Sequence, residues 1–220
     1  MKGHRKSIKP IFFLILLGSA VVILFFYKSI LISAGEFLAP EEAGNADVVI
    51  LEGSEVIRGK GVEIGMSLLS SKKAHRLVIV YHNSEKEPIF DRPLNYDIFL
   101  TKKIEDCGLK KDQVQVIRVP RNHPITLTEA QIVLSHLSRE RVKSAILLAE
   151  GFHTRRSYWA YKRIGLPLGI KIIPYSYFTV YQSKNWWQET DGVVAFMTES
   201  LKFFYYLVRG YIPVKSLLVT

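Results

Sequence analysis

From about residue 45 onward, the apolar residues follow two different patterns along the chain. Runs of strand length, rich in Val and Ile, occupy 47–51, 77–81, 114–119, 145–149 and 170–173. Between them, apolar residues recur every three or four positions and predict helices over 57–70, 96–107, 128–137 and 154–164, with a last helix from 185 or 186 to 208. Apolar strands that alternate with helices are typical of a parallel sheet covered on both faces. We therefore predict an α/β, Rossmann-like domain, doubly wound around a mostly parallel five-stranded sheet with right-handed crossovers.

A long apolar segment precedes this domain. The chain carries no charge from Ile11 to Tyr27, and the apolar character resumes after Lys28. About 20 such residues are enough to span the hydrocarbon core of a bilayer. Every acidic residue follows the segment, whereas several basic residues lie in or beside it: Lys2, Arg5, Lys6, Lys9 and Lys28. By the positive-inside rule, the N-terminus is expected in the cytoplasm and the rest of the chain outside it.

This pattern predicts how the chain is organised. Residues 1–10 are expected to form a basic cytoplasmic tail, 11–34 a single transmembrane anchor, 35–45 a linker, 46–210 the α/β domain and 211–220 a C-terminal tail. The domain would then be extracytoplasmic at the plasma (inner) membrane, and periplasmic in a Gram-negative cell. A cleavable signal peptide ending near 32–34 is the alternative, but the apolar segment exceeds the ~7–15 residues of a signal h-region.

The charge and the cysteine content of the chain argue against several classes of function. The chain has 30 basic and 20 acidic residues, and the five basic residues at the apolar segment leave 25 against 20, a net of +5, for the remainder. No basic stripe is interleaved with aromatic residues, so no nucleic-acid partner is predicted, and the surface favours anionic lipid or phosphate. Cys107 is the only cysteine and is expected to be a small buried residue. An intramolecular disulfide, a Cys-rich zinc site and a CxxC redox motif are therefore excluded.

Polar residues that could bind a ligand or take part in catalysis follow the predicted strands, at the ends where ligands bind in open α/β sheets. They are Glu52, Gly53, Ser54 and Arg58 after the first strand, His82 and Asn83 after the second, Thr126, Thr128 and Glu129 after the third, and His153, Arg155 and Arg156 after the fourth. A His beside two Arg at a helix N-terminus suits a phosphate, pyrophosphate or carboxylate. The alternative is that His153 caps the helix and the arginines are solvated or paired with Glu150.

Other candidates have simpler alternatives. Thr126 and Glu129 have the spacing of a capping box, which we favour over catalysis for Glu129. Asp47 could orient His153 or a cationic ligand group, or could bind a local backbone amide. No GxGxxG, GxxxxGK[ST], GxSxG or HExxH motif is present, so the sequence identifies no cofactor and predicts no metal site.

Several of these residues, in this order and spacing, resemble the ElyC/SanA/YdcF-like family of envelope proteins. The matching features are Asp47, Glu52-Gly53-Ser54 with Arg58, Thr126 to Ala130, Phe152-His153 with Arg156, and Glu199 with Lys202 near the end. The resemblance covers residues 46–210, and an N-terminal anchor is typical of the family. It implies a part in cell-wall or surface-polysaccharide metabolism, with an anionic or lipid-linked small-molecule ligand. His153 would be the acid or base, Arg156 and Arg58 the anion clamp, and Asp47 or Glu199 the orienting carboxylate.

The chain departs from the family pattern where that pattern has glycines. Glu52-Gly53-Ser54 stands in place of a glycine run, Tyr81-His82-Asn83 in place of Ser-Gly-Gly, and Ala149-Glu150 in place of Thr-Ser. Glycines let backbone amides approach a phosphate closely, so Glu52 and His82 are expected to fill such a cradle. Two rival functions follow: a non-catalytic scaffold or regulator of envelope biogenesis, and a nucleotide- or methyl-donor-binding protein suggested by the fold alone.

Overall fold

The five apolar runs form one parallel sheet. The computed structural model describes residues 9–54, 59–83 and 110–218. The strands are β1 (Val48–Ser54), β2 (Arg76–Asn83), β3 (Val114–Pro120), β4 (Ser144–Glu150) and β5 (Lys171–Tyr177), in the spatial order β3-β2-β1-β4-β5. All neighbouring pairs are parallel. The prediction of an α/β fold with a parallel five-stranded sheet is therefore confirmed.

Helices cover both faces of the sheet. They are α1 (Lys9–Leu38), α2 (Gly59–Ser70), α3 (Ile125–Arg139), α4 (Thr154–Gly165) and α5 (Thr190–Val208). The helix predicted over 96–107 and the residue Cys107 lie outside the described residues. Within the part of the chain that the structure describes, no helix combines the length and the apolar character needed to cross a membrane.

The strands divide their side chains between two cores, as the pleat of a β-strand requires. Val48 and Ile50 on β1 join a core with α3, α4 and α5, whereas Val49 and Leu51 join a second core with α2. The central strands are almost completely buried, with Val49 and Ile50 at 0 % exposure. Burial on both faces explains why these strands read as uninterrupted apolar runs in the sequence.

Residues on either side of the expected domain pack into it. The last turns of α1 bring Leu38 against Phe152 and Trp186 in a third apolar cluster. After α5, Ile212 is buried in the larger core, and Ser216 is fully buried in a short 3₁₀ helix, Val214–Leu217. Part of the expected linker and part of the expected C-terminal tail therefore belong to the folded domain.

The start of the last helix differs from the prediction. A 3₁₀ turn at Trp186–Gln188 is followed by extended backbone at Glu189, and α5 begins only at Thr190. The indole N–H of Trp186 donates to the carbonyl of Leu31, and the indole stacks on Phe196 at 3.9 Å. These tertiary contacts fix Trp186 as a separate turn, which the apolar periodicity alone cannot indicate.

Candidate functional site

The direction of the strand order reverses between β1 and β4, which is where open α/β sheets bind ligands. β1 and β4 are paired from Val48 with Ala145 to Leu51 with Leu148, so the residues that follow them meet at one edge. Glu52, Gly53 and Ser54 close β1, while β4 leads through a 3₁₀ turn at Gly151–His153 into α4. This edge carries the candidate site.

His153 lies between two carboxylates. Its Nε2 is 2.7 Å from Oε1 of Glu52, and its Nδ1 is 3.1 Å from Oε2 of Glu199, while the imidazole remains 27 % exposed. Burial acts to lower the pKa of His153, and Arg156 also lowers it, but the carboxylates of Glu52 and Glu199 outweigh both and raise it to about 9. His153 is therefore an imidazolium at neutral pH, donating from both ring nitrogens.

Arg156 connects three elements. Its Nε and Nη2 donate to Oε2 of Glu199 at 3.0 and 2.9 Å, and its Nη1 donates to Oγ1 of Thr126 at 2.7 Å. Its Nη2 also lies 2.5 Å from Nδ1 of His153, because both donors converge on the same Glu199 oxygen. Burial opposes the ionisation of Glu199, but His153, Arg156 and Lys202 hold the pKa of this carboxyl well below its ordinary value. The charge of Arg156 is thus paired within the protein.

Glu52 is buried beside His153. Its Oε1 accepts a hydrogen bond from Oγ of Ser157 at 2.5 Å in addition to the contact with His153. Its Oε2 is buried and has no hydrogen-bond partner among the described residues. A buried carboxylate oxygen without a donor is costly, so this side of Glu52 favours an added donor.

Glu129 organises a second buried network behind Gly53. Its Oε1 accepts hydrogen bonds from the Tyr161 hydroxyl at 2.6 Å and the Gly53 N–H at 3.2 Å, and its Oε2 is 2.6 Å from Nε2 of His82. Glu129 is only 1 % exposed and His82 only 6 %. Burial and the neighbouring Glu129 and Glu52 carboxylates raise the pKa of Tyr161 well above its ordinary value.

The predicted capping box is therefore wrong. Helix α3 begins at Ile125 after Pro124, and Thr126 lies within its first turn without capping it. The Thr126 hydroxyl accepts from Arg156, and the Glu129 carboxylate binds Gly53, Tyr161 and His82 instead of a helix-terminal amide. Stronger tertiary partners outcompete the local pairing that the spacing suggested.

Two further predicted residues lie away from this cluster. The Asp47 carboxylate accepts from the backbone N–H groups of Lys143 and Ser144 at the amino end of β4, and these bonds lower its pKa. Asp47 thus sits at the opposite end of the sheet from His153. Arg155 points to the other side of α4, where it donates to the carbonyls of Phe37 and Ser216 and is 1 % exposed.

The remaining predicted residues are Ser54, Thr128, Asn83 and Arg58. Ser54 lines the crevice, whereas Thr128 is half-buried on α3 and is not among the described residues that line it. Asn83 ends β2, and Arg58 lies outside the described residues.

Two cavities adjoin the cluster, and they share Glu52, Gly53, Ser54 and His153. We call one the basic cavity: it has a volume of about 460 Å³, and its charged and titratable lining comprises Arg121, Arg156, Lys202, His82, His123, His153, Glu52 and Glu129. The other, the acidic cavity, has about 650 Å³ and is lined by Glu52, Glu150, Asp191 and Glu199, with no Lys or Arg among its described lining residues. Glu52 and His82 therefore leave open space on both sides of His153.

Several residues of the site were not singled out from the sequence. Ser157 and Tyr161 follow His153 at intervals of four on α4, so a polar stripe at helical spacing was the available signal. Lys202 lines the basic cavity, but the sequence identified it only as part of the family resemblance, without a role at the site. Among the described residues, no group of three or more His, Cys, Asp or Glu side chains is arranged to hold a metal ion.

Comparison with known proteins adds no relative to this description. No protein-family model matches the chain, and no curated protein matches it.

Proposed function

We propose that this chain is a membrane-anchored envelope protein whose α/β domain binds a phosphorylated or otherwise anionic metabolite of cell-wall or surface-polysaccharide metabolism. The observation that carries the proposal is the basic cavity, which places Arg121, Arg156 and Lys202 beside His153 at the carboxyl ends of the strands. The resemblance of residues 46–210 to the ElyC/SanA/YdcF-like family supports the choice of metabolite class.

The charges of the two cavities favour a ligand with two different parts. The three cations Arg156, His153 and Lys202 are paired with two carboxylates, Glu52 and Glu199, so this group keeps a surplus of positive charge that attracts an anion. Carboxylates dominate the acidic cavity, and these accept hydrogen bonds from hydroxyl or ammonium groups. A sugar phosphate has the two parts required. Its phosphate would bind in the basic cavity, and its hydroxyl-rich or amino-bearing portion would bind in the acidic cavity.

Membrane anchoring is supported by the sequence. The uncharged run from Ile11 to Tyr27, continued after Lys28, has the composition of a span over 11–34, with basic residues on the cytoplasmic side. We expect the full chain to stay in membranes after alkaline extraction. We also expect the domain to be cleaved by protease added from the extracytoplasmic side only. Release into the soluble fraction at alkaline pH would contradict the anchor.

The binding test uses the full chain in detergent. Thermal unfolding is measured with a panel of sugar phosphates, nucleotides and polyprenyl-phosphate analogues, since a ligand at 100 times its Kd adds about 2.7 kcal/mol of stability. The Lys202→Ala and Arg121→Ala variants should lose the response to a sugar phosphate. Lys171→Ala, an exposed lysine at the amino end of β5, should keep it. A response equal in all four proteins would place the anion elsewhere.

Catalysis by His153 is a second candidate. An imidazolium next to an anion site can act as a general acid, but both ring nitrogens already contact carboxylates. A ligand must therefore displace Glu52 or Glu199 from the ring before it can receive the proton. A His153→Gln variant that still binds the ligand, more weakly because one positive charge is lost, but leaves it unreacted where the wild type converts it supports this role.

The scaffold alternative has its own supporting observation. Arg156 and both nitrogens of His153 already have partners within the protein, so these two cationic side chains need no ligand to be satisfied. A panel without any stabilising compound would favour this function over ligand binding. The nucleotide- or methyl-donor alternative rests on the fold alone, and stabilisation by nucleotides or S-adenosyl compounds but not by sugar phosphates would favour it.

A further inference from the structure

Helix α5 carries an exposed apolar face on the side opposite its buried residues Phe203 and Tyr206. Large apolar side chains at intervals of three and four form this outer face: Val194, Met197, Leu201, Phe204, Tyr205 and Val208. Each is at least 52 % exposed, and Leu201 and Val208 reach 69 %. The inward side of the same helix is different, since Phe203 and Tyr206 are buried there. The helix is therefore apolar on two sides, and the described domain covers only one.

No charged side chain interrupts the outer face. The charged residues within the span from Val194 to Val208 are Glu199 and Lys202. Glu199 points into the site, where it binds His153 and Arg156, and Lys202 binds Glu199. A contiguous exposed apolar patch of this kind on a protein surface marks an interaction site.

The contacts between α5 and α1 place this helix close to the end of the apolar segment. The Trp186 indole donates to the carbonyl of Leu31 and stacks on Phe196 near the start of α5. Further along, Phe37 makes an edge contact with Phe203 at 5.9 Å. Helix α5 thus lies beside the last turns of α1, whose preceding side chains Phe25 and Ile30 are exposed.

The connection between α1 and the domain is rigid. Helix α1 is continuous from Lys9 to Leu38, and Leu31, Phe37 and Leu38 already pack within the domain. The uncharged run ends at Tyr27, four residues or about 6 Å along the helix before the first of these contacts at Leu31. If the segment lies in a bilayer, as the proposed function has it, no flexible linker allows the domain to move away from the membrane surface.

We propose that the outer face of α5 lies on the lipid bilayer, at the boundary between head groups and acyl chains. This inference rests on the anchor of the proposed function. Apolar helix faces of this kind insert to that depth, and Tyr205 is of a type enriched there. The same orientation brings the cavities to the membrane, because Val194 lines the acidic cavity and Tyr205 the basic cavity. Ligands that carry their own lipid chain would then reach the site from the bilayer.

The test measures how deeply single labels lie in a membrane. A nitroxide is attached to Leu201→Cys or Phe204→Cys in a full chain that also carries Cys107→Ser, and to Lys171→Cys as the matched control. The proteins are reconstituted into vesicles of phosphatidylethanolamine and phosphatidylglycerol. Collisions with oxygen, which partitions into lipid, are compared with collisions with a water-soluble nickel complex. The two α5 labels should favour oxygen, and the Lys171→Cys label should favour nickel.

Three results would overturn the proposal, and they are distinguishable. If the protein resists alkaline extraction but the α5 labels favour nickel, the anchor stands and the docking of α5 fails. Labels shielded from both reagents, with spin–spin broadening between molecules, would show that a second copy covers the face. If alkaline treatment strips the protein from the vesicles, the anchor itself fails and the inference falls with it.

Discussion

The charge state of His153 provides a direct test of the site's electrostatics. Its imidazolium is stabilised by Glu52 and Glu199, which raise the pKa from the ordinary 6.5 to about 9 in the folded protein. Each unit between the folded and unfolded pKa is worth about 1.4 kcal/mol. The difference from 6.5 to about 9 therefore corresponds to about 3 kcal/mol of folding stability that depends on the proton of His153.

The sign of the pH dependence follows from the raised pKa. Below the unfolded pKa of 6.5 both states bind the proton, and the full stabilisation is present. As the pH rises through about 9, the folded protein also loses the proton, and the stabilisation disappears. We therefore expect the free energy of unfolding of the wild type to fall between pH 6.5 and 9.5, relative to a His153→Gln variant, by about 3 kcal/mol.

The assay compares denaturant unfolding of the two full-length proteins across this range in the same detergent. Subtracting the variant removes the contributions of the other titrating groups. Glu199→Gln should give a smaller pH dependence than the wild type, because one of the two carboxylates that raise the pKa becomes neutral. A wild-type-minus-variant difference that stays constant over this pH range would refute the proposed electrostatic coupling.

Three substitutions test other parts of the structure by the free energy of unfolding. Arg155→Met should cost about 1–3 kcal/mol, because it leaves the buried carbonyl of Ser216 without its donor; a loss below 1 kcal/mol would contradict a structural role for this arginine. Gly53→Ala should cost about 1–3 kcal/mol, since the added Cβ would stand 2.7 Å from the Glu129 carboxylate; unchanged stability would contradict this close approach. Tyr161→Phe should cost about 1–3 kcal/mol by removing a buried hydroxyl that donates to Glu129, and an equal melting temperature would contradict that hydrogen bond.

The sheet was predictable because its strands are buried on both faces. A strand such as β1 has no solvent side, so its sequence is a short apolar run whose type and position are easily recognised. Strand ends were less certain: β5 runs to Tyr177, past the predicted end at residue 173, because it continues through Pro174 and partly exposed residues. The start of α5 was predicted too early, because Trp186 is held in a separate turn by its hydrogen bond to Leu31, which is distant in sequence.

The positions of site residues could be predicted where the sheet topology determines them. The orientations of side chains that depend on tertiary packing could not. Parallel strands bring their carboxyl ends together, so His153 and Glu52 meet as the motif positions suggested. By the same rule Asp47, which opens a strand, lies at the far end of the sheet. Arg155 and Arg156 point about 100° apart on their helix, and their sequence does not say which one faces the ligand. Arg155 faces away from the site because its guanidinium donates hydrogen bonds to the carbonyls of Phe37 and Ser216.

The residues that follow β1 and end β2, Glu52 and His82, determine how an anion can be held here. Glu52 binds His153, and His82 binds Glu129, so an acid–imidazole pair lies on each side of Gly53 at this edge of the sheet. Gly53 remains between them, but its N–H donates to Glu129 and is not available to a phosphate. An anion in the basic cavity must therefore be held by the charges of side chains rather than by the amide of Gly53. Such attraction is screened by salt where the charges are exposed, so affinity should fall as ionic strength rises.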